Sequence, residues 1–240
     1  MGKNNGDPHH FFYQENGDPG KYLDPNGSNV VDQEIRERIF SNQILQPRNE
    51  THHIVPETRA TAEIKNIKEN KTLINKKLHR RYHSLLLNRI PEEVLDLLVN
   101  YFWGGNILFV EDFYSKNSNG DNRNGRNVNG GSRIKLWRHE YYQFWFKKQI
   151  ESPMDNVHYI VPLSRGGTED EENITKVNVR MRNAYQIGLF LDRTPEEVLD
   201  MLVNYFWKGR MCFVKNYLFL MSSFKGLNYK FLYPRDAFRM

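Results

Sequence analysis

PEEVLDLLVNYFWGG at residues 91–105 recurs as PEEVLDMLVNYFWKG at 195–209, with two differences in fifteen positions. Upstream, HHIVPETR at 52–59 recurs as HYIVPLSR at 158–165. Self-similarity at a fixed separation is the signature of a repeated structural unit. We therefore interpret the chain as the product of a duplication, and the fold of one repeat predicts that of the other.

Each repeat reads as two short strands followed by a helix. The IVP segment predicts a strand that runs into a turn, and Arg165-Gly166-Gly167-Thr168 suits a turn with positive φ. A second strand is predicted around Leu73-Ile74 in the first repeat and over Ile174–Val177 in the second. A helix should then run from Lys76 to Leu87.

A further helix closes each repeat. Thr194-Pro195-Glu196-Glu197 has the pattern of a capping box with proline at the first helical position. Leu95, Leu98 and Phe102 recur at three- and four-residue spacing, which predicts a buried helix face. The predicted fold class is α+β, with two tandem ββα modules that each carry an added helix.

Turn-rich and asparagine-rich stretches set the expected boundaries. Residues 1–48 should be a mostly flexible leader with one short helical stretch near Asp32–Phe40. The first module should occupy 49–114, an Asn/Gly-rich tether 115–132, and the second module with an aromatic, basic tail 133–240. KLWRHEYYQFWFKKQ at 135–149 could stack nucleic-acid bases, but a core helix is favoured, with the aromatic side chains Trp137, Tyr141, Phe144 and Trp145 buried.

Composition narrows the function classes. A net charge of +5 is compatible with an anionic partner, and it supports nucleic acid weakly. Cys212 is the only cysteine, which excludes a disulfide framework and any zinc site of paired cysteines. The amino-terminal stretch has no apolar core of a secretory signal and no apolar run could span a bilayer, so we expect a cytoplasmic protein without a membrane partner.

Four of the eight histidines lie in the first repeat, in two pairs. His52 and His53 are neighbours in a strand, so their rings point to opposite faces and can have different roles. His79 and His83 are one helical turn apart on one face, close enough to reach a single cation. A third imidazole from the strand would complete a three-histidine set with open coordination positions, as in catalytic metal sites.

The order HH, then Asn, then H-x-x-x-H nine residues later resembles the HNH (ββα-metal) nucleases, above all the histidine-rich form in colicin-type DNases. The resemblance implies that His52, His79 and His83 hold one divalent ion (Mg, Mn, Ni or Zn). It also implies that His53 is the general base and that Asn70 orients it, with Asn66 as a rival. The implied activity is endonucleolytic hydrolysis of double-stranded DNA, which leaves a 5′-phosphate and a 3′-hydroxyl.

Basic side chains around this set are candidates to hold phosphates, against the ordinary alternative of a solvated helix face. The candidates for nucleic-acid binding are, in the first repeat, Arg59, Lys76, Lys77, Arg80, Arg81 and Arg89, and in the second, Arg165, Lys176, Arg180 and Arg182.

The second repeat has lost most of the set. His158 aligns with His52, but Tyr159 replaces the base, and Asn183 and Ile187 are predicted to replace the helical ligands. A single imidazole holds a divalent ion poorly, so this repeat is expected to be metal-free and inactive, with a structural or DNA-positioning role.

Two other functions compete with the nuclease. The first is a non-catalytic nucleic-acid-binding protein that retains the HNH fold, which the sequence Arg59-Ala60-Thr61 in place of the glycine turn favours. The second is a metal-stabilised structural repeat with a protein partner. The pattern leaves target sequence, DNA against RNA and oligomeric state open.

Overall fold

A computed structural model describes residues 47–118, 139–150 and 153–223. In the first repeat, strand β1 (Glu50–His53) pairs antiparallel with β2 (Lys71–Ile74), with Glu50 opposite Ile74. In the second, β3 (Asn156–Tyr159) pairs antiparallel with β4 (Ile174–Val177). Each repeat has two strands, and the α+β class is confirmed. The first strand of each repeat ends at His53 or Tyr159, so the prediction of a strand over the IVP segment is wrong in its position.

The segments between the strands differ in the two repeats. In the first, helix α1 (Ala62–Asn66) and a 3₁₀ turn (Lys68–Asn70) lie between β1 and β2. In the second, a 3₁₀ turn over Leu163–Arg165 ends at Gly166, whose φ of 85° confirms the predicted positive-φ turn. A Cβ on Gly167 would lie 1.9 Å from the Val161 carbonyl oxygen, so glycine is required there.

The helix after each strand pair begins at an asparagine. Helix α2 (Lys76–Leu86) is capped by Asn75, whose side-chain oxygen accepts from the Lys77 and Leu78 amides at 2.8 and 3.2 Å. Asn178 caps α6 (Val179–Asn183) in the same way. Helix α6 continues as a π-helical segment.

That π-helical segment, Ala184–Leu189, absorbs an insertion. Sixteen positions separate Asn75 from Pro91, whereas seventeen separate Asn178 from Pro195. A π-helical turn is the usual way in which a helix accommodates one extra residue. The register of the two repeats therefore follows the asparagine caps through α6 and shifts by one only afterwards.

The closing helices begin at proline, as predicted. Helix α3 (Pro91–Leu97) continues as a π-helical segment over Leu98–Phe102. Helix α7 (Pro195–Asp200) continues likewise over Met201–Phe206. The capping box at Thr194 is confirmed, since the Thr194 amide donates to Glu197 Oε2 at 2.8 Å.

Three further helices complete the described part: α4 (Leu108–Asn117), α5 (His139–Ile150) and α8 (Cys212–Ser223). Because α4 extends to Asn117, the first residues of the predicted tether are helical. None of the described helices has the length and apolar character needed to cross a membrane.

The two repeats interlock through a reciprocal pair of hydrogen bonds. The Tyr101 hydroxyl at the end of the α3 segment accepts from the amide of Asn178, the cap of α6, at 2.9 Å. The Tyr205 hydroxyl at the end of the α7 segment accepts from the amide of Asn75, the cap of α2, also at 2.9 Å. Each closing helix thus reaches the ββα unit of the other repeat.

Aromatic contacts repeat this exchange. Phe102 stacks on Tyr185 of the second repeat, with ring centroids 4.3 Å apart, and Phe206 lies 4.6 Å from Tyr82 of the first. Apolar residues of both repeats belong to one hydrophobic core, which includes the predicted Leu95, Leu98 and Phe102. The expectation that each module carries its own closing helix therefore needs correction, because the helices pack across the repeats.

Several predictions concern residues at the margins of the described part. Residues 1–46, 119–138, 151–152 and 224–240 lie outside it, and with them the predicted helix near Asp32–Phe40 and Trp137. The predicted helix at 135–149 is present from His139, but Phe144 is 61% exposed, so its predicted burial is wrong. Phe146 of this helix is fully buried in the core. The side chains of Tyr141 and Trp145 are outside the described set.

Candidate metal centre

His52 is a fully buried imidazole with unmet hydrogen-bonding capacity. It lies on the core-facing side of β1, is 1% exposed, and packs edge-on against Tyr82 with centroids 4.7 Å apart. Within the described residues, neither of its ring nitrogens has a hydrogen-bond partner. Burial, together with the nearby His83 and His79, holds the pKa of His52 well below its ordinary value. The ring is therefore neutral and carries a buried lone pair.

His79 and His83 project from one face of α2 towards this ring. Their Nε2 atoms lie 3.0 Å apart, and ligand nitrogens of all three histidines fall within 4.8 Å of one another. Two nitrogens bound ~2.0–2.1 Å from one ion lie roughly 3.0–3.4 Å apart at coordination angles of about 90–110°. The spacing of the helical pair is thus already that of two ligands on a common ion.

The hydrogen-bond partners of the two Nδ1 atoms indicate which ring nitrogen of His79 and of His83 carries a hydrogen. His79 Nδ1 lies 2.9 Å from Glu50 Oε2, and His83 Nδ1 lies 3.1 Å from the Leu87 carbonyl oxygen. Both oxygens only accept, since hydrogen bonding to His79 lowers the pKa of Glu50 and keeps it a carboxylate. The Nδ1 atoms are therefore donors, and Nε2 is in each ring the nitrogen left to bind a metal ion.

Either a proton or a metal ion must lie between two Nε2 atoms that face each other at 3.0 Å. A hydrogen-bonded carboxylate or carbonyl behind each ligand histidine is the usual outer shell of a metal site. Burial lowers the pKa of His83, although the bond to the Leu87 carbonyl opposes that shift, and this favours the unprotonated ring that a metal ligand needs. The residues present fit one divalent ion held by His52, His79 and His83.

His53 points away from His52, as strand alternation predicts. It is partly buried, and its Nε2 lies 3.3 Å from Glu57 Oε1. Burial lowers the pKa of His53 from its ordinary value, although Glu57 opposes that shift. The ring is neutral at pH 7 and has a nitrogen that can accept a proton.

Asn70 is a buried clamp on the turn that follows the histidines. Its Oδ1 accepts from the Val55 amide at 2.7 Å, and its Nδ2 donates to the Val55 carbonyl at 3.0 Å. Asn173 makes the same pair of bonds to Val161 in the second repeat. The rival Asn66 is exposed and bonds only to the Ala62 carbonyl among the described residues. Asn70 therefore acts on the backbone two residues after His53, and no direct bond between Asn70 and His53 is present.

Two of the predicted phosphate-binding arginines are structural. Arg59 is 1% exposed and pairs with both Glu93 oxygens, at 2.9 and 2.6 Å. Arg89 is fully buried over the Phe146 ring and donates to Gln149 Oε1 at 2.8 Å. Neither guanidinium can reach a phosphate, so the prediction is wrong for both. The spacing of the repeats gave no sign of this burial.

The other predicted basic residues are at least partly accessible. Arg165 is ion-paired with Glu197 and only partly exposed. Arg81 and Arg182 are of intermediate exposure. The remaining candidates are exposed on the helices and on β4: Lys76, Lys77, Arg80, Lys176 and Arg180.

The second repeat holds an arginine where the first holds a helical ligand. Counted from the caps Asn75 and Asn178, the position of His79 is taken by Arg182 and that of His83 by Gln186. The prediction that Asn183 takes the position of His79 is wrong by one residue, because the extra residue enters only after α6, in the π-helical segment. Gln186 and the predicted Ile187 both lie within that segment. Burial and the neighbouring Arg182 lower the pKa of His158 to about 3.

The sequence reasoning missed Glu50, the carboxylate behind His79. The signal was available, because residues two apart in a strand share a face, and Glu50 stands two before His52. Its place in the second repeat is taken by Asn156. Comparison of this chain with family models, curated proteins and solved structures gave no match.

Proposed function

We propose that the first repeat is the site of a metal-dependent endonuclease that hydrolyses phosphodiester bonds in double-stranded DNA. The observation that supports it most is the pair of histidine Nε2 atoms held 3.0 Å apart beside the buried His52. A three-imidazole set leaves coordination positions open, which is expected of a catalytic and not of a closed structural metal site.

The ligand type bears on the metal. Three neutral imidazoles suit Zn²⁺ or Ni²⁺ better than Mg²⁺, which prefers oxygen ligands and retains its waters. When bound, a divalent ion would supply positive charge to the phosphate oxygens as negative charge develops on them. The protein's part is to hold the ligands, which Glu50 and the Leu87 carbonyl do through the two Nδ1 atoms.

His53 is the proposed general base. It takes a proton from the attacking water onto an imidazole nitrogen, which is unprotonated at neutral pH. Glu57 at 3.3 Å stabilises the imidazolium that forms. Asn70 fixes the turn after His53 through its two bonds to Val55 and so limits movement of this strand end.

Substrate contacts are proposed for the exposed basic side chains Lys76, Lys77 and Arg80. They lie on or next to the helix that carries the two ligands, so a phosphate near the ion would have positive charge beside it. Contacts of this kind fix position and do not read sequence.

A supercoiled-plasmid assay with Mg²⁺, Mn²⁺, Ni²⁺ or Zn²⁺ tests the proposal, and the chain supplies its own matched control. His53→Ala should abolish cleavage, whereas Tyr159→Ala at the equivalent strand position of the second repeat should leave it unchanged. Chelation of the metal should also stop cleavage. Equal cleavage by the wild type and His53→Ala would reject His53 as the base, and no cleavage by the wild type with any of the metals would reject the enzyme.

A non-catalytic nucleic-acid-binding protein is the second candidate. It is favoured by exposed basic residues in both repeats, such as Arg80 and Arg180, which need no metal to bind phosphate. A salt-sensitive shift of duplex mobility without cleavage would support this function. Thermal stabilisation by metal without any nucleic-acid binding would instead support the structural repeat.

A further inference from the structure

The second repeat contains its own group of buried nitrogens without partners. His158 is 3% exposed, and both of its ring nitrogens lack a hydrogen-bond partner among the described residues. Arg182 Nε, which is also buried, has no partner there either. The two residues occupy the positions of His52 and His79, so this group lies where the first repeat has its candidate metal centre.

The charge at this place excludes a metal ion. A guanidinium stays protonated in proteins, so Arg182 is a fixed positive charge beside His158. The two carboxylates next to the histidines of the first repeat are also missing. Asn156 stands in place of Glu50, and Leu163 in place of Glu57. The local charge has therefore changed from one that attracts a cation to one that repels it.

Buried donors of this kind call for an acceptor. Arg182 can only donate, and the neutral His158 ring has one N–H to donate. Buried donors that have no acceptor destabilise a fold. The exposed acidic residues 169–172, in the connection between β3 and β4, are not among the groups that act on His158, where burial and Arg182 account for the lowered pKa. No described carboxylate satisfies the pair.

We propose that His158 and Arg182 form a binding site for a phosphate group. Arginine is the side chain best suited to phosphate, because its donors match the phosphate oxygens and the charge-assisted bonds are strong. Arg182 is only half-buried, so its guanidinium is the part of the site that a group at the surface can reach. The inference does not depend on nuclease activity in the first repeat. Its ligand is either a phosphodiester of nucleic acid or free inorganic phosphate.

The test uses the full chain, freed of metal with a chelator, and two probes: inorganic phosphate and a short DNA duplex. Binding is followed by calorimetry and by the NMR signal of the His158 ring. Arg182→Gln removes the charge inside the site, and Lys215→Gln removes a positive charge from an exposed position on α8, away from the proposed binding residues. Circular dichroism of each variant checks the fold.

We expect at least one probe to move the His158 signal in the wild type. Arg182→Gln should weaken that binding roughly 10- to 100-fold, as loss of a charge-assisted hydrogen bond does. Lys215→Gln should leave the response of the His158 signal in place. A response to duplex alone identifies the phosphodiester, and a response to inorganic phosphate alone identifies the free anion. If both probes leave the His158 signal unmoved, or if Arg182→Gln is folded and binds as the wild type does, the proposal is overturned.

Discussion

The two repeats share a strand pair, an asparagine-capped helix and a proline-initiated helix. At the candidate site they differ at three positions. In the first, Glu50, His79 and His83 surround a buried histidine with a carboxylate and two imidazoles. In the second, the corresponding residues are Asn156, Arg182 and Gln186. Both repeats keep the asparagine cap, the asparagine clamp and the buried histidine on the first strand. The framework is therefore common to both repeats, whereas the charge beside the buried histidine is opposite in sign.

The interlocked packing explains why both repeats keep the framework. Tyr82 of the first repeat contacts Phe206 and Trp207 of the second, and the same contacts occur in the reverse direction through Tyr185. Because His52 itself lies against Phe206, the second repeat forms part of the wall behind the candidate metal centre. The second repeat, although it lacks the two helical histidines, would thus still be needed to support the first repeat, which has them.

Exchange of these three residues between the repeats should have the largest effect on metal binding. We expect the triple variant Asn156→Glu, Arg182→His, Gln186→His to bind a second divalent ion, since His158 already supplies the third imidazole. The reciprocal variant His79→Arg, His83→Gln should bind none at the first repeat. Metal content per chain after dialysis measures both. A triple variant that folds and still binds a single ion would contradict the equivalence of Arg182 with His79 and of Gln186 with His83.

The arginine–glutamate ion pairs Arg59–Glu93 and Arg165–Glu197 should differ in their contribution to stability, which is the next largest effect. Arg59→Leu leaves the Glu93 carboxylate buried without its partner, which should lower the free energy of unfolding by about 3–5 kcal/mol. Arg165→Leu acts on a pair with Glu197 that solvent partly reaches, so a loss of about 1 kcal/mol or less is expected. Urea denaturation of the metal-free proteins measures both. Equal losses would show that burial of Arg59 does not set the difference.

Removal of the carboxylate behind His79 should weaken metal binding without abolishing it. Glu50→Gln keeps the size of the side chain but removes its charge, and loss of such an outer-shell partner typically costs about 10- to 100-fold in metal affinity. Asn156→Ala, at the equivalent position of the second repeat, is the control and should leave the affinity unchanged. An unaltered affinity in Glu50→Gln would argue that His79 is oriented without it.

The smallest expected effect is a pH dependence of stability that comes from a buried aspartate in helix α3. Asp96 is 1% exposed, and burial raises its pKa to about 7, whereas Asp200 at the equivalent position is exposed. The folded state then binds a proton that the unfolded state releases, so stability falls as pH rises from about 4 to 7, by at most about 1.4 kcal/mol per pH unit. Asp96→Asn should remove this contribution, as urea denaturation at several pH values would show. Asp200→Asn is the matched control, and a pH slope that Asp96→Asn leaves intact would contradict the protonated form.

The sequence predicted the local elements of the fold well. Both strand pairs, the proline-initiated helices and the capping box at Thr194 follow from short-range rules of alternation and capping, and all are present. The convergence of His52, His79 and His83 was also predictable, because strand and helix periodicity fix which rings share a face.

What the sequence could not predict depends on contacts between distant parts of the chain. The bond from the Asn178 amide to the Tyr101 hydroxyl spans 77 positions, and no periodicity indicates such a pairing. Burial of Arg59 and Arg89 has the same origin, since Glu93 and Phe146 are distant in sequence. The identity of Arg182 as the counterpart of His79 was hidden by one inserted residue, whose location only the π-helical segment reveals.

The most direct test of the account is metal titration of the wild-type chain, combined with X-ray absorption at the zinc or nickel edge. We predict one ion per chain with three imidazole nitrogens at ~2.0–2.1 Å, and loss of that signature in His79→Ala. The absence of tight binding, or an unchanged ligand set in His79→Ala, would contradict a metal centre in the first repeat.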